Sequence, residues 1–249
     1  MFKTSANLIC IIFLSSCLFQ VGLMAQNVEL FIHNPVEVNP VRYNNTLGNP
    51  FIFETYKSAE IESVGGVKFD QVKLNYNGIE ECFEVFYQNK FVVLPVKLYP
   101  KVMIIQDRSI EDLEAYPDTL FFTTKLHPLY PNNYIISHYR GNGFEFFERF
   151  HPYLHKSKAA YYAFSNEVKI TQESVSKPGT HKHIEHASSF YILEGSKLSE
   201  IKLGKKGLNR HFFGKRKKIK SLIESSGINP ASPKAMVELL KLLEQAEVL

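Results

Sequence analysis

Short runs of alternating apolar and polar residues, separated by turn residues, follow one another along most of this chain. Residues 59–64 and 67–77 are two such runs, and Gly65 and Gly66 lie between them. Because glycine adopts a positive φ at both central turn positions without steric cost, the arrangement predicts a tight β-hairpin. The alternation changes phase by one residue at Asp70 and Gln71, which predicts a β-bulge there.

The same pattern predicts further strand pairs along the chain. They are residues 82–87 with 91–99, 134–139 with 144–150, 161–164 with 168–171, and 189–193 with 198–203. The stretch 174–186 is polar instead, and we expect a long loop there.

After Gly207 the apolar spacing becomes helical. Phe212, Ile219 and Ile223 form one apolar stripe, and a second helix is expected to begin after Ser232. We therefore predict a mainly β fold, an antiparallel hairpin-built curved sheet or partly closed barrel, with two C-terminal helices. The expected division is a signal peptide over residues 1–25, a β domain over 26–207 and a helical appendage over 208–249 that packs on the β domain.

The first 25 residues have the layout of a secretory signal peptide. Lys3 precedes an apolar run at 8–18, and small residues end at Ala25. Cleavage after Ala25 leaves a soluble chain that begins at Gln26. Alternatively, the sequence Leu-Ser-Ser-Cys ending at Cys17 resembles a bacterial lipobox, which would place a lipid on that cysteine. Both alternatives predict export, with the chain periplasmic, outer-membrane-associated or secreted.

The amino-acid composition and the absence of known motifs limit the catalytic chemistry that we expect of this chain. The chain has 13 Tyr, 20 Phe and no Trp, and of its three cysteines only Cys82 follows the leader. Aromatic enrichment favours strands, and a lone cysteine excludes an internal disulfide and is expected to be buried and inert. The sequence contains no P-loop, dinucleotide fingerprint or nucleophile elbow, so we predict no catalytic residue and no cofactor.

The best metal-like cluster is formed by His181, His183 and His186, together with Glu185. On a strand, positions 181, 183 and 185 would share one face, and imidazole with carboxylate suits zinc or copper. Since the polar stretch 174–186 is also typical of a loop, the alternative is that these histidines are simply solvated.

The chain carries a net charge of +4, and its basic residues crowd near the C-terminus, where Lys215, Arg216, Lys217, Lys218 and Lys220 follow one another. This cluster predicts binding to an anionic surface such as a membrane or lipopolysaccharide. Alternatively, it is the solvated face of an amphipathic helix. A nucleic-acid partner is not expected for an exported protein.

Several stretches together resemble a known group of proteins. They are Gly-Asn-Pro-Phe at 48–51, Gly-Val-Lys-Phe at 66–69, the strand ending Leu-Asn-Tyr-Asn at 74–77, and a Lys-rich helix after Phe213. The chain resembles a family of secreted β-rich proteins of Bacteroidota that has no assigned activity. The resemblance implies export and a β-rich fold, it transfers no catalytic residue, and we expect the Leu-Asn-Tyr-Asn motif to fix a strand and its turn.

These observations favour an exported, non-catalytic binding or interaction protein of the cell envelope, with an unknown envelope protein or ligand as its partner. The first alternative is a metal-binding protein or metal-dependent enzyme that uses His181, His183 and His186. The second is a structural component associated with the outer membrane.

Overall fold

The computed structural model describes residues 30, 32–39, 41–43, 46–105, 116–124, 126–157 and 181–249. The predicted signal peptide, the cysteine of the predicted lipobox and the predicted strand pair at 161–171 lie outside the described residues. Residues 32–249 form one compact unit.

Ten antiparallel strands form the main sheet, in the order β13-β12-β9-β8-β7-β6-β2-β3-β4-β5. Their bounds are β2 Lys57–Glu62, β3 Lys68–Asn77, β4 Cys82–Tyr87, β5 Lys90–Val93, β6 Lys101–Ile105, β7 Thr119–Thr123, β8 Ile135–Arg140, β9 Phe144–Phe150, β12 Ser188–Glu194 and β13 Lys197–Ile201. Nearly all neighbours in the sheet are also neighbours in sequence, which is the hairpin-built plan that the alternation predicts. Among the described strands, β5 and β13 are the two ends of the sheet, so it is open. The predicted mainly β fold is confirmed.

The turns explain the register. In the turn between β2 and β3 only Gly66 has a positive φ, 78°, so the prediction of two left-handed glycines is wrong, and the turn is longer than two residues. The Gly66 N–H donates to the Ser63 carbonyl at 2.9 Å, which leaves Gly65 in an ordinary conformation. The predicted bulge is confirmed, since Gln71 has φ 59° and the β2–β3 register shifts between Ala59 and Ile61.

The next hairpin, β4–β5, is tighter and shorter than predicted. Gln88 and Asn89 both have positive φ, and Tyr87 pairs directly with Lys90. Two left-handed residues between paired strands form the turn that matches strand twist. The second strand ends at Val93 because Pro95, which has no N–H to donate, follows shortly after.

A second sheet of three strands uses part of the stretch predicted as a loop. It has the order β1-β11-β10, where β1 is Thr46–Leu47, β10 is Tyr153–Ser157 and β11 is His181–Glu185. The loop prediction is therefore wrong for 181–185, which pair antiparallel with β10 and parallel with β1. Pairing to distant segments, rather than local sequence, makes this polar stretch a strand.

Three helices follow the sheet, one more than predicted. They are α1 Lys205–His211, α2 Arg216–Ser226 and α3 Pro233–Gln245, with a 3₁₀ turn at Phe213–Lys215. Gly227 ends α2 with φ 71°, and the Ser232 hydroxyl accepts from the Ala235 N–H at 3.2 Å, as the cap residues predict. Within the described residues, no helix combines the length and apolar composition that a membrane span requires.

Two aromatic-rich regions make the core. In the first, the buried Tyr76 ring lies 5.1 Å from Phe83, 5.3 Å from Phe122 and 6.3 Å from Phe150, which ties together β3, β4, β7 and β9. In the second, the helices pack on β9, β12 and β13. Its members include Phe144, Phe146, Ile192, Ile201, Leu208, Phe212, Ile219, Ile223, Met236, Leu239, Leu240 and Leu243.

The two asparagines of the Leu-Asn-Tyr-Asn motif anchor β3. The Asn75 amide donates to the Phe53 carbonyl at 2.9 Å, which holds the preceding segment against the strand. The Asn77 side-chain oxygen accepts from the backbone N–H groups of Ile79 and Glu80, both at 3.1 Å. This contact forms the turn after β3, which is the role expected from the sequence.

Candidate anionic-surface site

The connection between α1 and α2 places two consecutive phenylalanines in opposite environments. Phe212 leaves the helical conformation and is buried in the core under the helices, whereas Phe213 is 68 % exposed. The Phe212 N–H still donates to Leu208, and its carbonyl accepts from Lys215, both at 2.9 Å. The buried ring therefore fixes the corner and leaves the next ring in solvent.

An open cavity of about 870 Å³ lies beside this exposed ring. It is lined by Phe213, Gly214, Lys215, Arg216, Lys217, Lys218, Glu247, Val248 and Leu249. The guanidinium of Arg216 lies 3.9 Å from the centre of the Phe213 ring, and its Nε donates to the Asn209 carbonyl at 2.8 Å. The stacking and the hydrogen bond hold the cation and the exposed ring together.

The charges around this cavity are strongly unbalanced. Four consecutive cations, residues 215–218, line the cavity together with one acidic side chain, Glu247. The first turn of α2 contains no acidic residue, and Lys215 at its N-cap makes no side-chain cap. The positive end of the helix dipole therefore adds to the basic side chains. We call this set of residues, Phe213 with 215–218, the basic-aromatic patch.

The structure brings together four of the five predicted basic residues. Lys220 does not line the cavity, and its ammonium lies 3.8 Å from Glu224 one turn along α2. Ile219 and Ile223 on the same helix are buried. The helix is thus amphipathic, as the alternative interpretation requires, and its N-terminal turn still presents the cations to the cavity.

Of the predicted histidine cluster, His181 and His183 lie on β11, and His186 lies just beyond its end. His183 is exposed on β11, and His186 lies beyond the strand, where its Nε2 is 2.6 Å from the Asn49 carbonyl oxygen. The backbone of His181 pairs with Ser157. Among the described residues, no group of three or more His, Cys, Asp or Glu side chains is arranged to hold a metal.

The single cysteine of the β domain has a suppressed reactivity. Burial raises the pKa of the Cys82 thiol to about 12, and the neighbouring carboxylates of Glu84 and Glu80 add to the rise. The neutral thiol is a poor nucleophile. Cys82 is half-buried, and its raised pKa agrees with the inert character expected from the sequence.

The sequence interpretation missed a buried polar cluster around Glu148 on β9. The side chains of Glu148 and His138 are fully buried, with His138 Nε2 2.8 Å from Glu148 Oε2. The other carboxylate oxygen accepts from Tyr116 at 2.8 Å and from Ser188. Burial, followed by the carboxylate of Glu148, raises the pKa of Tyr116 well above its usual range. The cluster joins β8, β9 and β12 to the segment before β7.

A second missed cluster surrounds Glu84 on β4. Its carboxylate accepts from Arg42, from Asn77 at 2.7 Å and from Tyr56 at 3.3 Å, and its side chain is nearly fully buried. The sequence signal was clear only for Glu84, the single charged residue of β4, because β9 contains Glu145 and Arg149 besides Glu148. A carboxylate in such a position is buried, and burial requires partners.

Comparisons of the chain with protein-family models, with curated proteins and with solved structures give no match.

Proposed function

We propose that this chain is an exported, non-catalytic binding protein that attaches peripherally to a membrane surface carrying anionic phosphate headgroups. The observation that carries the proposal is the basic-aromatic patch, in which an exposed phenylalanine lies among four consecutive cations at an open cavity. Export rests on the signal-peptide pattern of residues 1–25.

The charge distribution supports this choice of partner. Residues 197–220 contain ten Lys or Arg and one Glu, a net +9, whereas the whole chain carries +4 and the remainder is therefore net −5. A field concentrated in one segment orients a protein toward an anionic surface, which a uniformly basic protein cannot do. Each cation close to such a surface contributes about 1 kcal/mol.

The exposed ring favours a bilayer over a soluble anion. A soluble anion needs only cations and hydrogen-bond donors, whereas a headgroup layer also offers an apolar depth into which a phenylalanine can insert. Moving one exposed Phe side chain into an apolar environment is worth about 1.5–3 kcal/mol. Phe213 and the flanking cations are therefore matched to the two layers of a membrane interface.

Vesicle co-sedimentation tests the proposal. We expect the protein to bind vesicles of phosphatidylcholine with one quarter phosphatidylglycerol, to bind pure phosphatidylcholine weakly, and to dissociate as the salt concentration rises. Replacing Lys217 and Lys218 together by Ala removes about 2 kcal/mol, which is about a thirtyfold loss of affinity. Phe213→Ala is expected to weaken binding at every salt concentration.

The matched control replaces Lys234 and Lys241 by Ala. Both are exposed on α3 and neither lines the cavity, so the change in net charge is the same. We expect this control to bind within about threefold of the unchanged protein. Equal losses in the control and in the patch variant, or equal binding to neutral and anionic vesicles, would refute the proposal.

A further inference from the structure

A second cavity, of about 450 Å³, lies between β13 and α1. Its shape depends on a close approach of the two backbones. A Cβ at Gly207 would lie 1.7 Å from the Lys202 carbonyl oxygen, so only glycine lets α1 turn back against the end of β13. The volume is within the range of about 300–1,000 Å³ that small-molecule sites occupy.

A buried histidine lines this cavity without a hydrogen-bond partner. The His211 side chain is only 9 % exposed, and in the described part of the chain nothing lies within hydrogen-bonding distance of its Nε2. The closest carboxylate oxygen, Glu194 Oε2, is 3.8 Å away, which is too far for a direct bond. A buried nitrogen left unpaired is unfavourable, and a ligand group in the cavity can satisfy it.

The gap between His211 Nε2 and Glu194 Oε2 suits a ligand hydroxyl. Burial lowers the pKa of His211, an effect that the Glu194 carboxylate opposes and the Lys197 ammonium reinforces, so the ring is neutral near pH 7. A hydroxyl placed between them at about 2.8 Å from each would accept from the imidazole N–H and donate to the carboxylate. An apolar group could do neither.

The remaining side chains add positive charge to the cavity. Three cations, Lys197, Lys202 and Arg210, line it together with two acids, Glu194 and Glu200. Because the three cations outnumber the two acids by one charge, the balance favours a negatively charged group, and a guanidinium can bind a carboxylate or phosphate through two parallel hydrogen bonds. These features of the cavity therefore favour binding of an anion that also carries hydroxyl groups.

We propose that the cavity between β13 and α1 binds a small hydroxylated anion, a sugar phosphate or a sugar acid. Its anionic group lies against Arg210, and one of its hydroxyls bridges His211 and Glu194. This site is separate from the basic-aromatic patch, because the two cavities share no lining residue.

Isothermal titration calorimetry of the full chain with four probes tests the proposal. Glucose 6-phosphate and glucuronate carry both features, whereas inorganic phosphate lacks the carbon-borne hydroxyls and glucose lacks the charge. We expect saturable binding of at least one of the two hydroxylated anions, at least tenfold tighter than that of phosphate and of glucose. Which of the two binds identifies the anionic group. If neither binds, or if phosphate or glucose binds as tightly, the proposal is wrong.

Variants connect the binding to this cavity. Arg210→Ala is expected to weaken the preferred probe at least tenfold, while Lys206→Ala, on the same helix but outside the cavity lining, leaves it unchanged. His211→Ala is expected to weaken binding, and His211→Gln, which keeps a donor at the same distance from the backbone, retains more affinity. Because Arg210 is exposed, its replacement tests the site even if a His211 variant fails to fold. Unchanged affinity in Arg210→Ala would overturn the assignment.

Changes at Lys217 and Lys218 separate the two proposals. We expect the double alanine variant to lose vesicle binding and to keep the affinity for the sugar anion. Loss of both activities in that variant would mean that one general basic surface accounts for both, and would overturn the separate site.

Discussion

Replacing Glu148 by Ala is the sharpest test of how the sheet is held together. The carboxylate accepts from His138 and Tyr116, each at 2.8 Å, and from Ser188, and it is completely buried. Alanine leaves all three donors without their acceptor. Each stranded buried donor costs about 1–3 kcal/mol. Part of this free energy is recovered, because the Tyr116 and Ser188 hydroxyls can rotate and because a carboxylate no longer has to be buried.

Three stranded donors at about 1–3 kcal/mol each, less this recovery, leave a net loss of about 3–5 kcal/mol. For a protein of 150–250 residues, each kcal/mol lowers the melting temperature by about 2–4 °C, so a decrease of roughly 10 °C is expected. Since the chain has no Trp, tyrosine fluorescence and circular dichroism are the appropriate signals for urea and thermal unfolding. Glu148→Gln keeps the shape and one acceptor and should have a smaller effect.

Glu62→Ala is the matched control. Glu62 is also a strand glutamate with a cationic partner, Lys101 at 2.6 Å, but the lysine side chain is 58 % exposed. Exposed pairs contribute about 0–1 kcal/mol. If Glu148→Ala changed the free energy of unfolding by no more than this control, the inference that the buried cluster stabilises the β8–β9–β12 region would be refuted.

Two further predictions concern single groups. Because the pKa of the Cys82 thiol is raised to about 12, a thiol reagent at pH 8 should label the folded protein slowly and the urea-unfolded protein rapidly; equal rates would contradict its burial. The pKa of Glu244 is lowered by hydrogen bonds from the Tyr139 hydroxyl and then from the Asn142 N–H. A lowered carboxyl pKa adds stability above the unfolded value of about 4.3, and this is lost as the pH falls through the folded pKa. The difference in melting temperature between the unchanged protein and Glu244→Gln should therefore be constant near neutrality and shrink below about pH 4.3; a constant difference down to pH 3 would contradict it.

The parts of the fold that could be predicted are those with a local cause. The bulge at Gln71 and the capping residues Ser232 and Gly227 follow from residues a few positions apart. Strand β11 could not be predicted, because its polar sequence becomes extended only by pairing with Thr46–Leu47 and Tyr153–Ser157. Tertiary pairing overrides weak local preference in such segments.

The candidate sites likewise contain features that have a local cause in the sequence and features that depend on tertiary structure. The run of cations at 215–218 is visible in sequence, but its exposure beside Phe213 depends on the break in helical structure at Phe212, which was predicted to belong to a continuous helical stripe. The partners of Glu84 and Glu148 could not be predicted, since Arg42 and Tyr116 are 42 and 32 residues away along the chain. A buried carboxylate can be inferred from an apolar strand, whereas the residues that satisfy it are set by the sheet order.

The basic-aromatic patch, the β13–α1 cavity and the Glu148 cluster are buried to different extents. We therefore expect added salt to affect the contribution of each one differently. At 0.1 M ionic strength charges are screened over about 10 Å of solvent, so attraction between the exposed patch at 215–218 and a surface should fall steeply with added salt. In the β13–α1 cavity the buried His211 contributes a hydrogen bond rather than a charge, and only the contribution of Arg210 should be screened. The Glu148 and His138 side chains are out of contact with solvent, so the contribution of this pair to stability should hardly change. Salt dependence thus distinguishes the proposed membrane-binding surface from the proposed ligand cavity, even though both lie on the same basic segment.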